Sequence, residues 1–310
     1  MQLHEMIIIH FINQNYNTMK KILTALAAVL MIVGCTKETI NQNENENGAA
    51  EYDTVNFHFS PYQVSPMKGG EKTTTSVATV CSRLDIYIID IAEGDTMRWH
   101  QERTATAGFG TLTATLKTNK TYHLYAVAHN TTDTATFSGG VFSFAEDKIK
   151  QCMVADTIFS PGDGLQLSVT MQRIVGMFKL RIADPDSEFE GVTGFNFSVT
   201  QSGRKWDMAT MQSTDRVEQL RTITGTSRGN DGYVTYNVFI MGDDMQTVKY
   251  VDITASAVLT GGVQGETREF SQVPIKNGYV TMYSGTFFIT FDMGFTFSVG
   301  EWGEYGSYNF

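Results

Sequence analysis

The chain has 310 residues, a formal net charge of −10 and a sequence pI near 5.1. Phosphate binding needs clustered Lys and Arg, and the sequence has no basic run, so nucleic acid is excluded as a partner. Roughly 260 residues from Tyr52 onward are enough for two domains of ordinary size.

Residues 19–35, MKKILTALAAVLMIVGC, have the layout of a bacterial secretory signal. Two lysines give a positive start, and the uncharged apolar run that follows is too short to span a bilayer comfortably. Residues 32–35 resemble a lipobox, which implies cleavage before Cys35 and lipidation of its thiol. The alternative is that Cys35 is only an apolar residue at the end of an ordinary signal peptide.

The segments around this signal define the start of the mature protein. Residues 1–18 precede a better start at Met19, and we interpret them as a mis-called initiation. Residues 19–34 are then the signal peptide, and residues 35–51, which are rich in Asn and Glu, form a flexible tether. A multiply acylated Cys35 would be a durable anchor, because each buried methylene contributes about 0.8 kcal/mol.

From Tyr52 onward, apolar and polar residues alternate with the period of two that is typical of half-buried strands. The alternating runs are residues 55–59, 84–88, 112–116, 122–128, 165–171, 178–182, 195–199, 234–240 and 251–259. Many short strands of this kind predict an all-β fold of two antiparallel β-sandwich domains. The turn at residues 161–164, PGDG, sets a boundary that gives domains at residues 52–162 and 163–310.

Two segments depart from this period. Ser143 and Glu146 fit a capping box, which predicts one short helix in the first domain, with Cys152 and Met153 on its apolar face. Residues 207–228 show no clear period, and we expect a long loop there.

The motifs of common enzymes are missing from the sequence. It has no Gly-x-Ser-x-Gly elbow and no phosphate loop, so we predict no catalytic residues, no cofactor and no metal. His123 and His129 are too far apart to ligate one metal, and we expect them to face solvent. Cys81 and Cys152 allow either one disulfide or two buried free thiols. The acidic pairs at residues 184–186 and 243–244 are interpreted as turn formers.

Three segments carry a family resemblance. Residues 122–130, YHLYAVAHN, residues 171–178, MQRIVGMF, and residues 273–288, VPIKNGYVTMYSGTFF, are similar to parts of the fimbrillin-like lipoproteins of Bacteroidales. This family includes the major and minor fimbrillins and their anchor subunits. The resemblance implies two transthyretin-like β-sandwich domains and a structural or anchor subunit of cell-surface fimbriae that supports adhesion.

The same resemblance implies a location and a processing step. The lipid on Cys35 would hold the protein in the cell outer membrane, and the partners would be other fimbrial subunits. A trypsin-like protease would remove the first strand, with Lys68 and Lys72 as the candidate cleavage sites. The loop lacks the arginine of the major fimbrillins, and an anchor subunit would keep both its strand and its lipid.

The C-terminal run allows two interpretations. Every odd position from 287 to 299 is apolar, including Phe295, Phe297 and Val299. In one interpretation, Gly294 splits the run into two strands of one sandwich. In the other, the segment beyond Gly294, including Trp302, leaves its own domain and fills a neighbour's groove by β-augmentation after the neighbour's first strand has been removed.

Two further expectations concern carbohydrate. Four Asp-Thr-apolar triplets resemble the sites that Bacteroidota O-glycosylate, and their acceptors are Thr54, Thr96, Thr134 and Thr157. The alternative function is that of a surface glycan-binding lipoprotein. Such a protein needs a platform of exposed aromatic side chains, and the tryptophans Trp99, Trp206 and Trp302 lie in three separate segments.

Overall fold

The structure, a computed structural model, describes residues 51–61, 76–131, 135–144, 149–289 and 295–301. The strands are β1 (Tyr52–Pro61), β2 (Arg83–Asp90), β3 (Thr96–Glu102), β4 (Thr111–Lys117), β5 (Tyr122–His129), β6 (Thr136–Ser138), β7 (Val141–Ser143), β8 (Cys152–Phe159), β9 (Gln166–Arg173), β10 (Val175–Ile182), β11 (Val192–Asp207), β12 (Gln212–Thr224), β13 (Val234–Met241), β14 (Lys249–Leu259), β15 (Gln264–Ile275), β16 (Tyr279–Gly285) and β17 (Thr296–Glu301). Two short 3₁₀ helices lie at Val77–Thr79 and Asp186–Phe189. None of these elements is a helix with the length and apolar character needed to cross a membrane.

The all-β class predicted from the alternating runs is confirmed. In β4, Leu112, Ala114 and Leu116 are buried, while the threonines between them are exposed. This pattern arises because successive side chains of a strand point to opposite faces of the sheet. Strand β2 differs from its predicted half-buried form, since Asp85 and Tyr87 on its other face are buried too.

The first sandwich is one seven-stranded sheet in the order β3-β2-β5-β8-β9-β1-β4. Strand β9 pairs with β1 along most of its length but meets β8 only at Gln172 and Arg173. The sheet bends at this junction, so that Phe57 of β1 and Ile86 of β2 belong to the same apolar core.

The second sandwich has a four-stranded sheet in the order β13-β10-β16-β17 and a six-stranded sheet in the order β15-β14-β11-β7-β6, with β12 paired to β11. The core between these sheets includes Phe178, Phe195 and Phe270. Two pairs, β1–β9 and β10–β16, run parallel, so the sheets are not purely antiparallel as expected.

A third apolar cluster joins the two sandwiches. It contains Tyr87 and Val127 from the outer face of the first sheet, and Met177, Trp206 and Met241 from the second sandwich. Hydrogen bonding crosses the predicted boundary at residues 162 and 163 in both directions, because β9 completes the first sheet and β7 pairs with β11. The division into two domains stays a prediction.

Most of the described residues in the two segments that departed from the strand period lie in strands. Ser143 ends β7, and Cys152 and Met153 open β8, so the predicted helix is wrong at these positions. Pairing with β11 and β5 outweighs the local capping signal. Glu146 lies outside the described residues. The predicted loop over residues 207–228 is also wrong, because β12 forms a long ribbon with β11. Strand β12 is exposed on one face, and its half-buried other face carries mostly polar side chains, which explains its lack of an apolar period.

Candidate functional site

Strand β1 lies inside the first sheet, antiparallel to β4 and parallel to β9. The alternating side chains Val55, Phe57 and Phe59 are buried in the first core. The ring of Phe57 packs edge-on against Phe159, with 5.3 Å between the centroids. Each fully buried side chain of this size contributes about 1.5–3 kcal/mol. Loss of β1 would therefore open an apolar groove between β4 and β9.

Asp53 ties the start of β1 to the turn before β9. Its Oδ2 accepts the backbone N–H of Gly164 at 2.8 Å, and its Oδ1 accepts that of Thr54 at 2.7 Å. Asp163 and Gly164 have φ values of 52° and 64°, and Gly adopts this left-handed conformation without a steric penalty. The predicted turn at residues 161–164 therefore fixes β1 in register.

Strand β17 is the edge of the four-stranded sheet and pairs with β16 alone among the described strands. Phe297 is 60% exposed and Val299 is also exposed, although their partners on β16, Tyr283 and Thr281, face the second core. The ring of Phe297 stacks on Tyr283 with 5.6 Å between the centroids. An apolar strand at a sheet edge offers unpaired backbone groups to another strand.

The other residues predicted to act in strand donation are placed differently. Phe295 is half-buried, with its ring 5.1 Å from that of Phe270 in the second core. Trp302 lies outside the described residues. Residues 296–301 pair within their own chain in this structure. Donation to a second subunit stays a prediction.

Asp184 anchors the chain just ahead of β17, and the sequence did not suggest this role. Its buried carboxylate accepts the backbone N–H groups of Phe287, Phe288 and Ile289, the last two at 3.1 and 3.0 Å. Phe287 is itself fully buried, with its ring centroid 4.8 Å from that of Phe195. The prediction that residues 184–186 only form a turn therefore missed the main contact of Asp184.

A second buried carboxylate, Asp85, lies between two histidines on the outer face of the first sheet. His100 Nδ1 is 2.8 Å from Asp85 Oδ1, and His129 Nε2 is 3.3 Å from Asp85 Oδ2. Burial acts to raise the pKa of Asp85, but the hydrogen bonds from His129 and His100 outweigh it, so that the pKa lies below its ordinary value. His129 is fully buried, so the prediction that it faces solvent is wrong.

The predicted modification sites are only partly within the described residues. Thr54 on β1 and Thr96 on β3 are exposed, whereas Thr157 on β8 is half-buried. Cys35, Lys68, Lys72 and Thr134 lie outside the described residues. Lipidation, proteolytic processing and O-glycosylation stay predictions.

The tryptophans do not form a common surface. Trp206 is fully buried between the sandwiches, and Trp99 is half-buried against the first core. Cys81 and Cys152 are both buried and free. In the described part of the chain, no group of three or more His, Cys, Asp or Glu side chains is arranged to hold a metal ion.

Comparisons with known proteins give matches among solved structures. No protein-family model matches the chain, and no curated protein matches it. A candidate cell adhesion protein from Bacteroides ovatus is similar, with a TM-score of 0.51 and 11% identity over 81% of this chain and 98% of that one. A candidate cell adhesion protein from Bacteroides eggerthii has a TM-score of 0.48 and 12% identity over 83% of this chain and 98% of that one. A fimbrial assembly protein from Parabacteroides distasonis has a TM-score of 0.42 and 8% identity over 82% of this chain and 99% of that one. At 11% identity, the first match shows a shared fold.

Proposed function

We propose that this protein is a structural or anchor subunit of cell-surface fimbriae, held in the outer membrane by a lipid on Cys35 and supporting adhesion. The observation that carries the proposal is the contrast between β1, an internal strand with a buried apolar face, and β17, an edge strand with an exposed one. The fold shared with the Bacteroides ovatus protein, which is named as a candidate in cell adhesion, supports a role of this class.

In the proposed assembly step, the C-terminal strand of one subunit fills the groove that β1 leaves in the next. Cleavage at Lys68 or Lys72 would release β1, since both residues lie between β1 and the 3₁₀ helix Val77–Thr79. The incoming strand would pair with β4 and β9, which supply the backbone hydrogen bonds of β-augmentation.

The apolar side chains of the two strands have matching periods. Strand β1 buries Val, Phe and Phe at positions 55, 57 and 59, and the C-terminal run offers Phe, Phe and Val at positions 295, 297 and 299. A donor that runs opposite to the original β1 would place Val299 where Val55 was, and Phe297 where Phe57 was. The groove would then be refilled with side chains of the same volume, which packed cores tolerate best.

The experiment is to cleave the full chain with trypsin and follow polymer formation by size-exclusion chromatography and electron microscopy. Wild-type protein should lose β1 and assemble, whereas the double variant Phe297→Asp and Val299→Asp should be cleaved but stay monomeric. The matched control is the double variant Tyr250→Asp and Val263→Asp, which places the same two charges at exposed positions on β14 and in the turn after it. Polymerisation of the Phe297 and Val299 variant at the wild-type rate would reject strand donation.

Attachment is tested separately through Cys35→Ala. This variant should leave the membrane fraction and take up no labelled acyl chain, whereas the wild type should stay in the membrane fraction and carry the label. A variant that still partitions into the membrane and still carries acyl chains would reject the lipid anchor. The result does not depend on strand donation.

A further inference from the structure

Four neighbouring strands of the first sheet carry a row of polar and aromatic side chains on one face. Arg98 on β3 is opposite Tyr87 on β2, Tyr87 is opposite Tyr125 on β5, and Tyr125 is opposite Asp156 on β8. Directly opposed residues project from the same face of a sheet. Three strand spacings separate the ends of the row, which is therefore about 14 Å long.

Tyr125 is the centre of a half-buried aromatic cluster at the margin of the third apolar cluster. The imidazole of His123 stacks on the ring of Tyr125 with 4.0 Å between the centroids. The ring centroid of Phe137, on β6, lies 5.3 Å from that of Tyr125. His123 Nε2 is 3.3 Å from Asp156 Oδ2, and the Tyr125 hydroxyl is 2.9 Å from His123 Nδ1. Since a carboxylate only accepts, His123 Nε2–H donates to Asp156, and Nδ1 shares the second hydrogen bond with the phenol. The rings are thus oriented before any ligand arrives, which lowers the entropy cost of binding.

The rim of this cluster is open to solvent. Ile158, which is opposite His123 on β8, is 61% exposed, and the side chains of Arg98 and Asp156 are 53% and 42% exposed. One end of the row carries a single cation and the other end a single carboxylate, so neither charge dominates. A ligand that complements it is uncharged, has apolar faces that cover the rings, and has hydroxyl groups that can both donate to Asp156 and accept from Arg98.

We propose that the Tyr125 platform, formed by Arg98, His123, Tyr125, Phe137, Asp156 and Ile158, binds a neutral glycan chain. The C–H faces of the pyranose rings pack on Ile158 and on the solvent-exposed parts of His123 and Tyr125, and the ring hydroxyls bond to the charged ends of the row. The charged ends of the row are about 14 Å apart across the buried Tyr87, and two to three sugar rings in an extended chain span this distance. The inference goes beyond fimbrial assembly and does not depend on strand exchange, because it concerns the ligand that adhesion would use.

The test is isothermal titration of the full-length protein with the neutral hexasaccharides of β-1,4-glucose, β-1,4-mannose, β-1,4-xylose and α-1,4-glucose. A hexasaccharide of galacturonic acid serves as the acidic comparison. We expect at least one neutral chain to bind and the acidic chain to bind at least tenfold more weakly. No binding of any neutral chain, or tighter binding of the acidic one, would overturn the proposal.

Two variants locate the site. Tyr125→Ala and Ile158→Arg should each weaken binding at least tenfold, and Tyr125→Phe, which keeps the ring, should weaken it only a few-fold. The matched control, Tyr250→Ala, removes an exposed tyrosine from β14 and should bind as the wild type does. Ile158 is exposed, so Ile158→Arg keeps the test valid if Tyr125→Ala fails to fold. Unchanged binding by Ile158→Arg would place any glycan site elsewhere.

Discussion

The carboxylate of Asp184 accepts the backbone N–H of Phe288 at 3.1 Å, although 104 residues separate the two in the chain. The same group also accepts the backbone N–H groups of Phe287 and Ile289, and the side chain of Asp184 is fully buried. Residues 287–289 are therefore fixed to the start of the second sandwich, while β17 beyond them is fixed mainly by β16. Strand β17 therefore follows a segment that is fixed by Asp184, and it carries exposed apolar side chains at the edge of the sheet.

Asp184→Asn should lower the free energy of unfolding by about 1.5–3 kcal/mol, because the amide keeps the volume but loses the charge that strengthens these bonds. Urea denaturation measures the loss, and hydrogen exchange should show faster exchange of the three amides. The matched control is Asp186→Asn, whose carboxylate is largely exposed and pairs with Arg228 at 2.8 Å. That variant should stay within about 1 kcal/mol of the wild type. Equal losses in the two variants would contradict the anchoring role.

The lowered pKa of Asp85 predicts that the free energy of unfolding decreases at acid pH. Its native pKa lies below its ordinary value of about 3.9, so its stabilising effect is present above that value and is lost as the pH falls through the native pKa. Asp85→Asn should cost about 1–3 kcal/mol at pH 7, because His129 is left with a weaker buried partner. Urea denaturation at pH 7, 5 and 3 should show the gap between wild type and variant narrowing at the lowest pH. A constant gap would show that the carboxylate charge is not responsible.

Two phenylalanines on the proposed exchange strands should behave differently. Phe57→Ala removes a buried ring from the first core and should cost about 3–5 kcal/mol. Phe297→Ala removes an exposed ring whose main contact is Tyr283, and it should cost about 1 kcal/mol or less. Thermal unfolding of the uncleaved protein compares the two. A large loss from Phe297→Ala would mean that β17 belongs to the folded core and is a poor donor.

Both cysteines of the sandwiches should be unreactive in the folded state. Burial raises the pKa of Cys81 to about 12 and raises that of Cys152 well above its usual range. Protonated thiols therefore stabilise the fold fully below the unfolded-state pKa of about 8.5, and this contribution is lost as the pH rises toward 12. In a Cys35→Ala background, iodoacetamide at pH 8 should add nothing to the native protein and two labels in urea. Failure to label in urea without reductant would reveal a disulfide.

The strands that have one apolar face were predicted correctly from the sequence. The prediction failed for strands whose conformation depends on pairing with a strand that is distant in sequence. In β4, the alternation of Leu112, Ala114 and Leu116 with threonines is sufficient, because burial of one face requires only period two. Strand β12 has no apolar face, so only its hydrogen bonds to β11 make it a strand. Ser143 carries a helix-cap signal, but pairing with Lys205 of β11 places it in β7.

The candidate sites also differ in whether local sequence could identify them. The exposed Phe297 and the buried Phe57 could be singled out from local pattern, whereas the Tyr125 platform could not, because its rings meet across strands. Trp206 shows the reverse error, since a tryptophan considered for a surface platform lies between the sandwiches. Whether an aromatic side chain is covered depends on the elements packed over it, and the local sequence does not specify these.

The sequence by itself determined the all-β class, the apolar faces of most strands and the turn at residues 161–164, because alternation and turn chemistry are local properties of the chain. Only the tertiary structure decided that β9 joins the first sheet, that β17 is an edge strand, and that Asp184 and Asp85 are buried with partners. These features depend on contacts between residues far apart in sequence, and their free energy comes from burial and from hydrogen bonds that form only when the sheets are assembled.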